Sequence, residues 1–378
     1  MKKKIVFVGL SGGVDSAVSA AILQTQGYEV VGVFIKTWHP DFLVCNEEEE
    51  HRDAMRVAAH LDIPFLTFDL EDVYKKEVAD YMIREYKMGR TPNPDVMCNK
   101  EVKFGAFFKK AILMGADFVA TGHYAQKKDS LIFFPGPRIS GSLPQPDHVK
   151  NIKESFLLKG FDPSKDQSYF LWTLKQEQLN RILFPVGNLK KTEVRKLAKK
   201  FNLPVAEKKD SQGVCFLGKV DLKEFLKHYI KSKKGKVINV LNKEEIGYHD
   251  GVVFYTLGER HGFTIIKKTP QDGAYYIVDK DVKKNILYVS QKFANKDLIE
   301  LIGSEINLEN LNWISEIPKI NKIYTAQIRY HGEFLPCQIV YKNNVSVKIV
   351  FKKSVLVASG QSCVLYDGYI CMGGGIVV

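Results

Sequence analysis

The sequence contains no long apolar run. None of its segments reaches the ~18 consecutive apolar residues that a membrane span requires. Its start, MKKKIVFVGL, is basic and then apolar like a secretory signal, but Ser11 and Asp15 interrupt the apolar stretch before any cleavage site. We therefore expect a cytoplasmic protein that makes no contact with a membrane.

Cysteine pairs at metal-binding spacing are also missing. None of the six cysteines forms a C-x-x-C motif, so the chain has no preformed zinc or redox motif. In the cytoplasm these thiols should stay reduced unless they take part in catalysis. With 45% apolar and 26% charged residues, the 378-residue chain can build a large core without disulfides.

Acidic residues are too few to balance the basic ones, and the formal net charge is +12. The excess is concentrated between Val186 and Lys236, where fifteen Lys and Arg face five Asp and Glu. Two interpretations stay open at this point. The segment forms two amphipathic helices with solvated basic faces, or it forms a patch that binds a phosphate backbone.

The order of strand and helix patterns predicts the fold. Up to about residue 200, apolar strands such as Lys4–Val8 alternate with helical patterns such as the one around Thr192–Phe201, which implies βαβ units and a parallel sheet. Residues 126–154 are rich in Pro, Gly and Ser and predict a long loop or insertion. After about Ser232 short strands follow one another between turn residues, GVVFYTLG at 251–258 among them.

We therefore predict an α/β protein of three parts. Residues 1–207 form a Rossmann-like domain with a parallel sheet, 208–284 a small mixed central module, and 285–378 a β-barrel-like domain. The ligand of such a parallel sheet lies beyond the carboxyl ends of its strands.

The stretch GLSGGVDS, Gly9–Ser16, lies beyond the first strand and admits several chemistries. It matches the G-x-S-x-G nucleophile elbow, but that elbow needs strands before it and only ten residues precede Ser11. A Walker loop is excluded because no G-K-[ST] follows. A glycine-rich anion cradle at a helix start remains, beside a plain structural turn. Asp15 would repel a bare phosphate, so it should either hold Mg²⁺ or brace the loop.

SGGVDS is also similar to the pyrophosphate-loop (PP-loop) signature of the ATP pyrophosphatase superfamily. That resemblance implies an enzyme that splits ATP into AMP and pyrophosphate and adenylates an oxygen of its substrate. Several families share this loop, so other residues must identify the substrate.

Two cysteines lie among turn-forming polar residues and next to lysines. Cys98 stands in TPNPDVMCNKEVKF and Cys215 in DSQGVCFLG. Neighbouring cations lower the pKa of a thiol and make it more reactive, although a lone cysteine is more often a small buried apolar residue. Asp95, three residues before Cys98, is a candidate general base, and capping of the following helix is the structural alternative.

A set of motifs in order along the chain resembles one family. GLSGGVDS, NPDVMCNKEVKFG, ATGHYA, KDQSYFL, FPVGNLKKTEVR, DSQGVCFLG and QIRYHG are similar to the tRNA-specific 2-thiouridylases, the MnmA family. The resemblance covers nearly the whole chain and implies ATP-dependent 2-thiolation of the wobble uridine of tRNA. Two features depart from the family pattern: Ile35 stands where Met is usual, and the connection at 126–154 is longer.

The resemblance also implies roles for particular residues. Cys98 is the nucleophile, Cys215 the persulfide carrier, and the two form a redox disulfide. ATP is expected to contact Gly9, Leu10, Ser11, Gly12, Gly13, Val14, Asp15, Ser16, Ile35 and Gly122. The tRNA is expected to contact Asn93, Pro94, Asp95, His123, Lys165, Asp166, Gln167, Arg329, Tyr330 and Gln361.

The implied chemistry needs all of these parts. Adenylation makes the C2 oxygen of uridine a leaving group, with Mg²⁺ assisting the departure of pyrophosphate. The terminal sulfur of the Cys215 persulfide then attacks C2, and Cys98 resolves the link as a Cys98–Cys215 disulfide, or else it first liberates sulfide. A sulfur-relay protein or cysteine desulfurase is the expected donor, the anticodon arm of tRNA the expected substrate, and a monomer the expected state.

Other functions are distinguished by the same residues. Another adenylating enzyme of the superfamily would lack the NPDVMC and GVC pair, a serine hydrolase would use Ser11, and a tRNA-binding protein with an inactive ATP site would not exchange pyrophosphate into ATP. An iron–sulfur cluster on Cys98, Cys215 and Asp95 is disfavoured by the missing C-x-x-C and stays an open alternative.

Overall fold

A computed structural model describes residues 3–43, 46–129, 154–209, 221–267, 273–291, 303–341 and 345–378. Two predictions fall largely outside these ranges. Cys215 lies in the gap at 210–220, and most of the predicted loop at 126–154 lies in the gap at 130–153. No helix within the described ranges is both long enough and apolar enough to cross a membrane.

The strands form three sheets. In chain order they are β1 (Ile5–Gly9), β2 (Glu29–Lys36), β3 (Phe65–Asp69), β4 (Phe118–Ala120), β5 (Ala125–Asp129), β6 (Ser155–Lys159), β7 (Ile182–Leu183), β8 (Gly235–Asn239), β9 (Glu245–His249), β10 (Thr264–Ile265), β11 (Tyr276–Asp281), β12 (Ile286–Ser290), β13 (Glu305–Trp313), β14 (Tyr324–Gln327), β15 (Leu335–Tyr341), β16 (Val347–Phe351), β17 (Ser362–Asp367) and β18 (Ile370–Val377).

The helices concentrate in the first 230 residues. They are α1 (Val14–Thr25), α2 (Glu47–His60), α3 (Glu71–Tyr74), α4 (Asp80–Lys87), α5 (Pro94–Met97), α6 (Phe108–Leu113), α7 (Gln176–Leu179), α8 (Lys191–Lys200) and α9 (Leu222–Lys227). Wider π-helical turns at Lys75–Ala79 and Cys98–Phe107 join α3 to α4 and α5 to α6. Short 3₁₀ turns lie at Ser168–Leu171 and Val252–Phe254.

The N-terminal sheet is entirely parallel, with strand order β3-β2-β1-β4-β7. Side chains alternate between its faces: Val6 and Val8 pack with α1, α2 and α8, whereas Phe7 packs with the helices between residues 71 and 113. The predicted α/β fold is confirmed. Because the strand order reverses between β1 and β4, a ligand crevice is expected where these two strands end.

The central sheet has the order β10-β9-β8-β12-β11, with β8 and β12 parallel and the other pairs antiparallel. β12 lies past the boundary predicted at residue 284, so the central module would end after Ser290. The strand predicted at 251–258 is wrong in part, because Val252–Phe254 is a 3₁₀ turn. There Gly251 has a φ of 151°, its N–H donates to His249, and the chain turns away from the sheet.

The C-terminal strands close into a barrel. β13, β16, β15, β14, β17 and β18 pair in that order, all antiparallel, and β18 pairs back with β13. The predicted barrel is therefore confirmed. The β5–β6 hairpin extends it through the pair Ile370 and Leu158. The predicted loop is thus wrong at Gln126–Asp129, where pairing with β6 makes a strand out of a polar sequence.

Candidate active site

The glycine loop is shaped to approach an anion. It connects the end of β1 to the start of α1 at the predicted crevice. Gly12 has a φ of 69°, and a Cβ there would lie 2.4 Å from the backbone oxygen of Glu50. Gly13 is the N-cap of α1 and has no side chain to occupy the first N–H groups of that helix. Only glycine fits both the left-handed conformation and the space at position 12.

Two serines hold the loop in this shape. The backbone N–H of Ser11 donates to Ser16 Oγ at 3.2 Å, and that hydroxyl donates to the Gly13 oxygen at 3.1 Å. The two serine hydroxyls are 3.3 Å apart. Leu10 and Val14 are buried and anchor the loop to the core. The loop is therefore preorganised before any ligand binds.

Asp15 acts as a brace in this structure. It accepts Lys191 Nζ at 2.7 and 2.8 Å and the Tyr124 hydroxyl at 2.7 Å. Both of its oxygens are thus engaged, and no group of three or more His, Cys, Asp or Glu suited to a metal occurs within the described ranges. Asp15 as a ligand of Mg²⁺ stays a prediction. Of the two roles considered for this carboxylate, the geometry favours the brace.

Lys191 and Tyr124 are site residues that sequence reasoning missed. Both lie in motifs that carry the family resemblance, FPVGNLKKTEVR and ATGHYA. A buried or half-buried carboxylate usually has a cationic partner, so Asp15 was the signal to search for one. The side chain of Lys191 is only 14% exposed, and its backbone N–H donates to Asp162 at 2.9 Å. That hydrogen bond lowers the pKa of Asp162, with the Ser164 hydroxyl contributing.

The other two predicted nucleotide contacts lie at the same edge of the sheet. A Cβ on Gly122 would lie 2.7 Å from the Ser16 nitrogen, so the chain after β4 passes directly against the start of α1. Ile35 is half-buried near the end of β2 and packs against the core formed around Phe7 and Val33. The structure thus brings the glycine loop, Gly122 and Ile35 to one end of the parallel sheet.

The Cys98 segment begins with a capped helix. Asn93 Oδ1 accepts the backbone N–H groups of Asp95 at 3.1 Å and Val96 at 3.2 Å, and Pro94 occupies the first helical position. Asn93 therefore fills the capping role that was the structural alternative for Asp95. Asp95 is half-buried in the first turn, one helical turn before the buried Cys98.

The helical stretch after Cys98 packs near two parts of the predicted nucleotide site, the end of β1 and the turn after β4. A Cβ on Gly9 would lie 3.7 Å from the Phe107 ring, and the Phe104 ring is 5.8 Å from that of His123. His123 in turn bonds Thr121 through Nδ1 at 2.8 Å, one residue before Gly122. The Cys98 stretch and the glycine loop therefore share one packed unit.

The C-terminal barrel binds the chain just before Asn93 through two hydrogen bonds. Thr91 donates its N–H to the Ser359 oxygen at 2.8 Å, and Gln361 Nε2 donates to the Thr91 oxygen at 2.9 Å. Between these bonds Gly360 has a φ of 92°, and a Cβ there would meet the Thr91 backbone at 3.0 Å. Gln361, predicted to contact tRNA, thus supports the Cys98 segment.

Several other predicted tRNA contacts have internal partners. Asp166 accepts the N–H groups of Gly160 and Ser168, and the side chain of Gln167 accepts the N–H of Tyr124. His123 is 7% exposed, and burial, with the nearby Lys103 charge, holds its pKa well below the usual value. A direct contact between the neutral His123 ring and tRNA requires the ring to leave this position.

The predicted tRNA contacts of the barrel lie where it meets the first domain. The Tyr330 ring lies 4.2 Å from that of Phe170, and Arg329 beside it is exposed. Burial raises the pKa of Tyr330 to about 12, and the charges of Asp166 and Asp95 act in the same direction. Tyr330 therefore stays protonated near Asp95. Lys165 and Arg329 are the predicted tRNA contacts that carry positive charge.

Models of known domains match all three parts of the chain. A "tRNA methyl transferase HUP domain" matches residues 4–219, a "tRNA methyl transferase PRC-barrel domain" 223–291, and an "Aminomethyltransferase beta-barrel domain" 303–377. The parallel sheet, the loop at its switch point and the appended barrel thus define a tRNA-modifying enzyme of the HUP-domain class.

Full-length relatives specify the reaction more closely than these domain descriptions. The chain is 42% identical to the tRNA-specific 2-thiouridylase MnmA of Listeria monocytogenes serotype 4b, over 98% of this chain and 94% of that protein. It is 40% identical to the MnmA proteins of Streptococcus thermophilus and Nitrosomonas europaea, over 99% and 100% of this chain and 95% and 99% of theirs. The chain belongs to the MnmA family of tRNA-specific 2-thiouridylases. It is a sulfurtransferase that thiolates tRNA.

Proposed function

We propose that this enzyme makes 2-thiouridine at the wobble position of tRNA in two ATP-dependent stages. The C2 oxygen of the uridine attacks the α-phosphorus of ATP and releases pyrophosphate. Sulfur from a persulfide on Cys215 then replaces the adenylated oxygen and releases AMP. One observation carries the proposal: the helical stretch after Cys98 packs against Gly9 and, through His123, against the Gly122 turn.

The loop residues supply the first stage. Gly12 and Gly13 let the backbone approach the phosphates, and the free N–H groups at the start of α1 stabilise the charge that develops on leaving pyrophosphate. Lys191 neutralises Asp15, so the carboxylate does not repel ATP. ATP and Mg²⁺ are the proposed cofactors, although Asp15 itself is not assigned to the metal.

The two cysteines supply the second stage. The terminal sulfur of the Cys215 persulfide bonds to C2 as the C2–oxygen bond to AMP breaks. The Cys98 thiolate then attacks the Cys215 sulfur, which leaves 2-thiouridine and a Cys98–Cys215 disulfide that an external thiol must reduce. In the alternative order Cys98 first releases sulfide, which attacks C2. Asp95 is proposed as the base near Cys98, since Asn93 already caps the helix.

The proposed partners follow from the same chemistry. The target uridine must leave its stack to reach a buried site, so the barrel residues Arg329 and Tyr330 and the loop residue Lys165 would hold the anticodon arm. A sulfur-relay protein or cysteine desulfurase would load Cys215. We propose that the enzyme acts in the cytoplasm as a monomer.

The direct test combines purified enzyme, unmodified tRNA, MgATP and a persulfide donor, followed by mass spectrometry of the nucleosides. We expect 2-thiouridine only with ATP, and loss of the product in both Cys98→Ser and Cys215→Ser. Cys337→Ala is the matched control, because burial in the barrel raises the pKa of that thiol to about 12 and makes it inert. Full product from Cys215→Ser would exclude the persulfide carrier, and product without ATP would exclude adenylation.

A further inference from the structure

The two residues that bind Asp15 are both held by one loop, residues 160–168. It carries the predicted tRNA contacts Lys165, Asp166 and Gln167. One oxygen of Asp166 accepts the backbone N–H groups of Gly160 at 2.9 Å and of Ser168 at 3.0 Å. A single side chain within the loop thus joins its two ends and fixes its shape.

The first contact of this loop runs through Asp162 to Lys191. The first N–H groups of a helix have no partner inside that helix, and the N-cap of α8 is Lys190, whose ammonium cannot accept a hydrogen bond. Asp162 supplies an acceptor from outside the helix. Its Oδ2 accepts the Lys191 N–H at 2.9 Å, while its Oδ1 accepts the N–H and the hydroxyl of Ser164. The loop therefore fixes the backbone from which the Lys191 side chain extends to Asp15.

The second contact runs through Gln167 to Tyr124. The Gln167 side chain accepts the Tyr124 N–H at 2.9 Å, and the backbone N–H of Gln167 donates to the Tyr124 oxygen at 2.9 Å. At the other end of the loop, a Cβ on Gly160 would lie 2.5 Å from the same oxygen. The Tyr124 hydroxyl in turn donates to Asp15 at 2.7 Å. Both partners of this carboxylate thus depend on the loop for their position.

We propose that Asp162 and Gln167 are positioning residues for nucleotide binding. They hold Lys191 and Tyr124 on Asp15, and so maintain the charge balance and the shape of the glycine loop. Gln167 thereby serves the nucleotide site, whereas the family resemblance assigns it to tRNA. The inference rests on the proposed binding of ATP by the glycine loop.

The test measures the Kd for MgATP by calorimetry without tRNA, and the Kd for unmodified tRNA by filter binding. We expect the Kd for ATP to rise about 10-fold in Asp162→Ala and about fivefold in Gln167→Met, because a displaced ammonium or hydroxyl compensates the Asp15 charge less well. The Kd for tRNA should stay within about twofold of the wild-type value, since these side chains act on the nucleotide site.

A double-mutant cycle shows whether each residue acts through its partner. Lys191→Met removes the ammonium that Asp162 positions, so adding Asp162→Ala to it should weaken ATP binding by less than about twofold more. Tyr124→Phe should in the same way mask most of the effect of Gln167→Met. Losses that were merely structural would instead add in full, because independent effects are additive.

Two matched controls come from the same region. Glu193 accepts the neighbouring N–H of Lys190 at 2.7 Å, so Glu193→Ala removes an acceptor from the same end of α8 without touching the Lys191 N–H. It should leave the Kd for ATP within about twofold of the wild-type value. Lys165→Met changes the same loop and should weaken tRNA binding while ATP binding stays unchanged.

The outcomes separate this proposal from the proposed function. If the wild type binds ATP and both Asp162→Ala and Gln167→Met bind it equally well, positioning is refuted and the proposed function stands. Full additivity in the double variants, or an equal loss in Glu193→Ala, would also refute positioning, because the effect would then belong to the fold as a whole or to the helix end. A wild-type enzyme that binds no ATP would overturn the proposed function itself.

Discussion

The two cysteine segments are attached to the protein by different forces. The Cys98 segment is held by the backbone hydrogen bond from Thr91 to Ser359, by the Gln361 side chain and by the close approach of Gly360. Residues 206–208, which precede the Cys215 segment in sequence, are held by the ion pair of Asp53 with Lys208 and by Arg195, which donates to the backbone oxygens of Ala206 and Lys208. Buried backbone contacts fix one geometry and resist salt, whereas ion pairs near the surface are weaker and screened. The chain before Cys98 is thus fixed by the fold, and residues 206–208 are attached by charged side chains.

The largest effect should come from forcing the barrel away from the Cys98 segment. Gly360→Ala adds a Cβ that meets the Thr91 backbone at 3.0 Å in a conformation unfavourable to L-residues. The neighbouring atoms belong to the backbone and not to the end of a flexible side chain, so the contact must widen, and the positive φ adds strain. We expect the rate of 2-thiouridine formation to fall about 100-fold, the size of loss that a displacement near 1 Å produces.

Gly368→Ala is the control for backbone strain in the barrel. Its φ of 61° is also positive, but a Cβ there would meet nothing within 4 Å. That variant should lose a little stability and keep its rate within about twofold. Equal activity losses in the two variants would show that strain, and not the contact with Thr91, is what matters.

The second effect concerns an ion pair in the nucleotide site. In Lys191→Met, Asp15 loses the cation that binds both of its oxygens, and its charge then faces the incoming phosphates. We expect the KM for ATP to rise about 30-fold, roughly 2 kcal/mol of lost charge compensation. Lys190→Met removes an exposed neighbouring lysine and should leave this KM unchanged. An unchanged KM in Lys191→Met would argue against charge compensation of Asp15 by Lys191.

The third comparison uses helix caps, because each cysteine segment is next to a helix cap in the sequence. Asn93 caps α5 before Cys98, and Asp221 caps α9 after the Cys215 segment with the same pair of hydrogen bonds. Asn93→Ala and Asp221→Ala should each cost about 1 kcal/mol of stability, measured by urea unfolding. Only Asn93→Ala should also slow thiolation, about 10-fold. A similar loss of rate in Asp221→Ala would show that both segments depend equally on local helix geometry.

The sequence predicted the fold wherever the periodicity of apolar residues was typical of only one kind of element. Alternating strands and helices indicated the parallel sheet that β1, β2, β3, β4 and β7 form. The pattern failed where strand pairing or a turn determined the local structure. Gln126–Asp129 is polar but becomes a strand because β6 lies beside it, and Val252–Phe254 is apolar but turns after Gly251.

The site was only partly predictable from the same sequence. The glycine loop and the NPDVMC motif were visible because their residues are contiguous. Lys191, 176 residues from Asp15, was not, since its partner is set by how α8 packs against α1. The contact between Thr91 and Gly360 joins residues 269 apart and has no signal in the local sequence. Long-range contacts of this kind require the three-dimensional fold.

The smallest effect on thiolation is expected in the module that follows the Cys215 segment, where Lys280 is half-buried. Lys280 Nζ donates to the backbone oxygen of Tyr255 at 2.7 Å, and burial lowers the pKa of Lys280 to about 8, against the opposing charge of Glu259. The unfolded chain, with a pKa near 10.5, binds more protons between these values, so wild-type stability rises with pH from about 8 to 10.5. Lys280→Met should therefore be more stable than the wild type at pH 7, by about 1–3 kcal/mol in urea unfolding. That advantage should shrink as the pH approaches 10, and Lys283→Met, at an exposed position, should show none. A constant advantage across this range would mean that apolar packing, and not the buried charge, sets the difference.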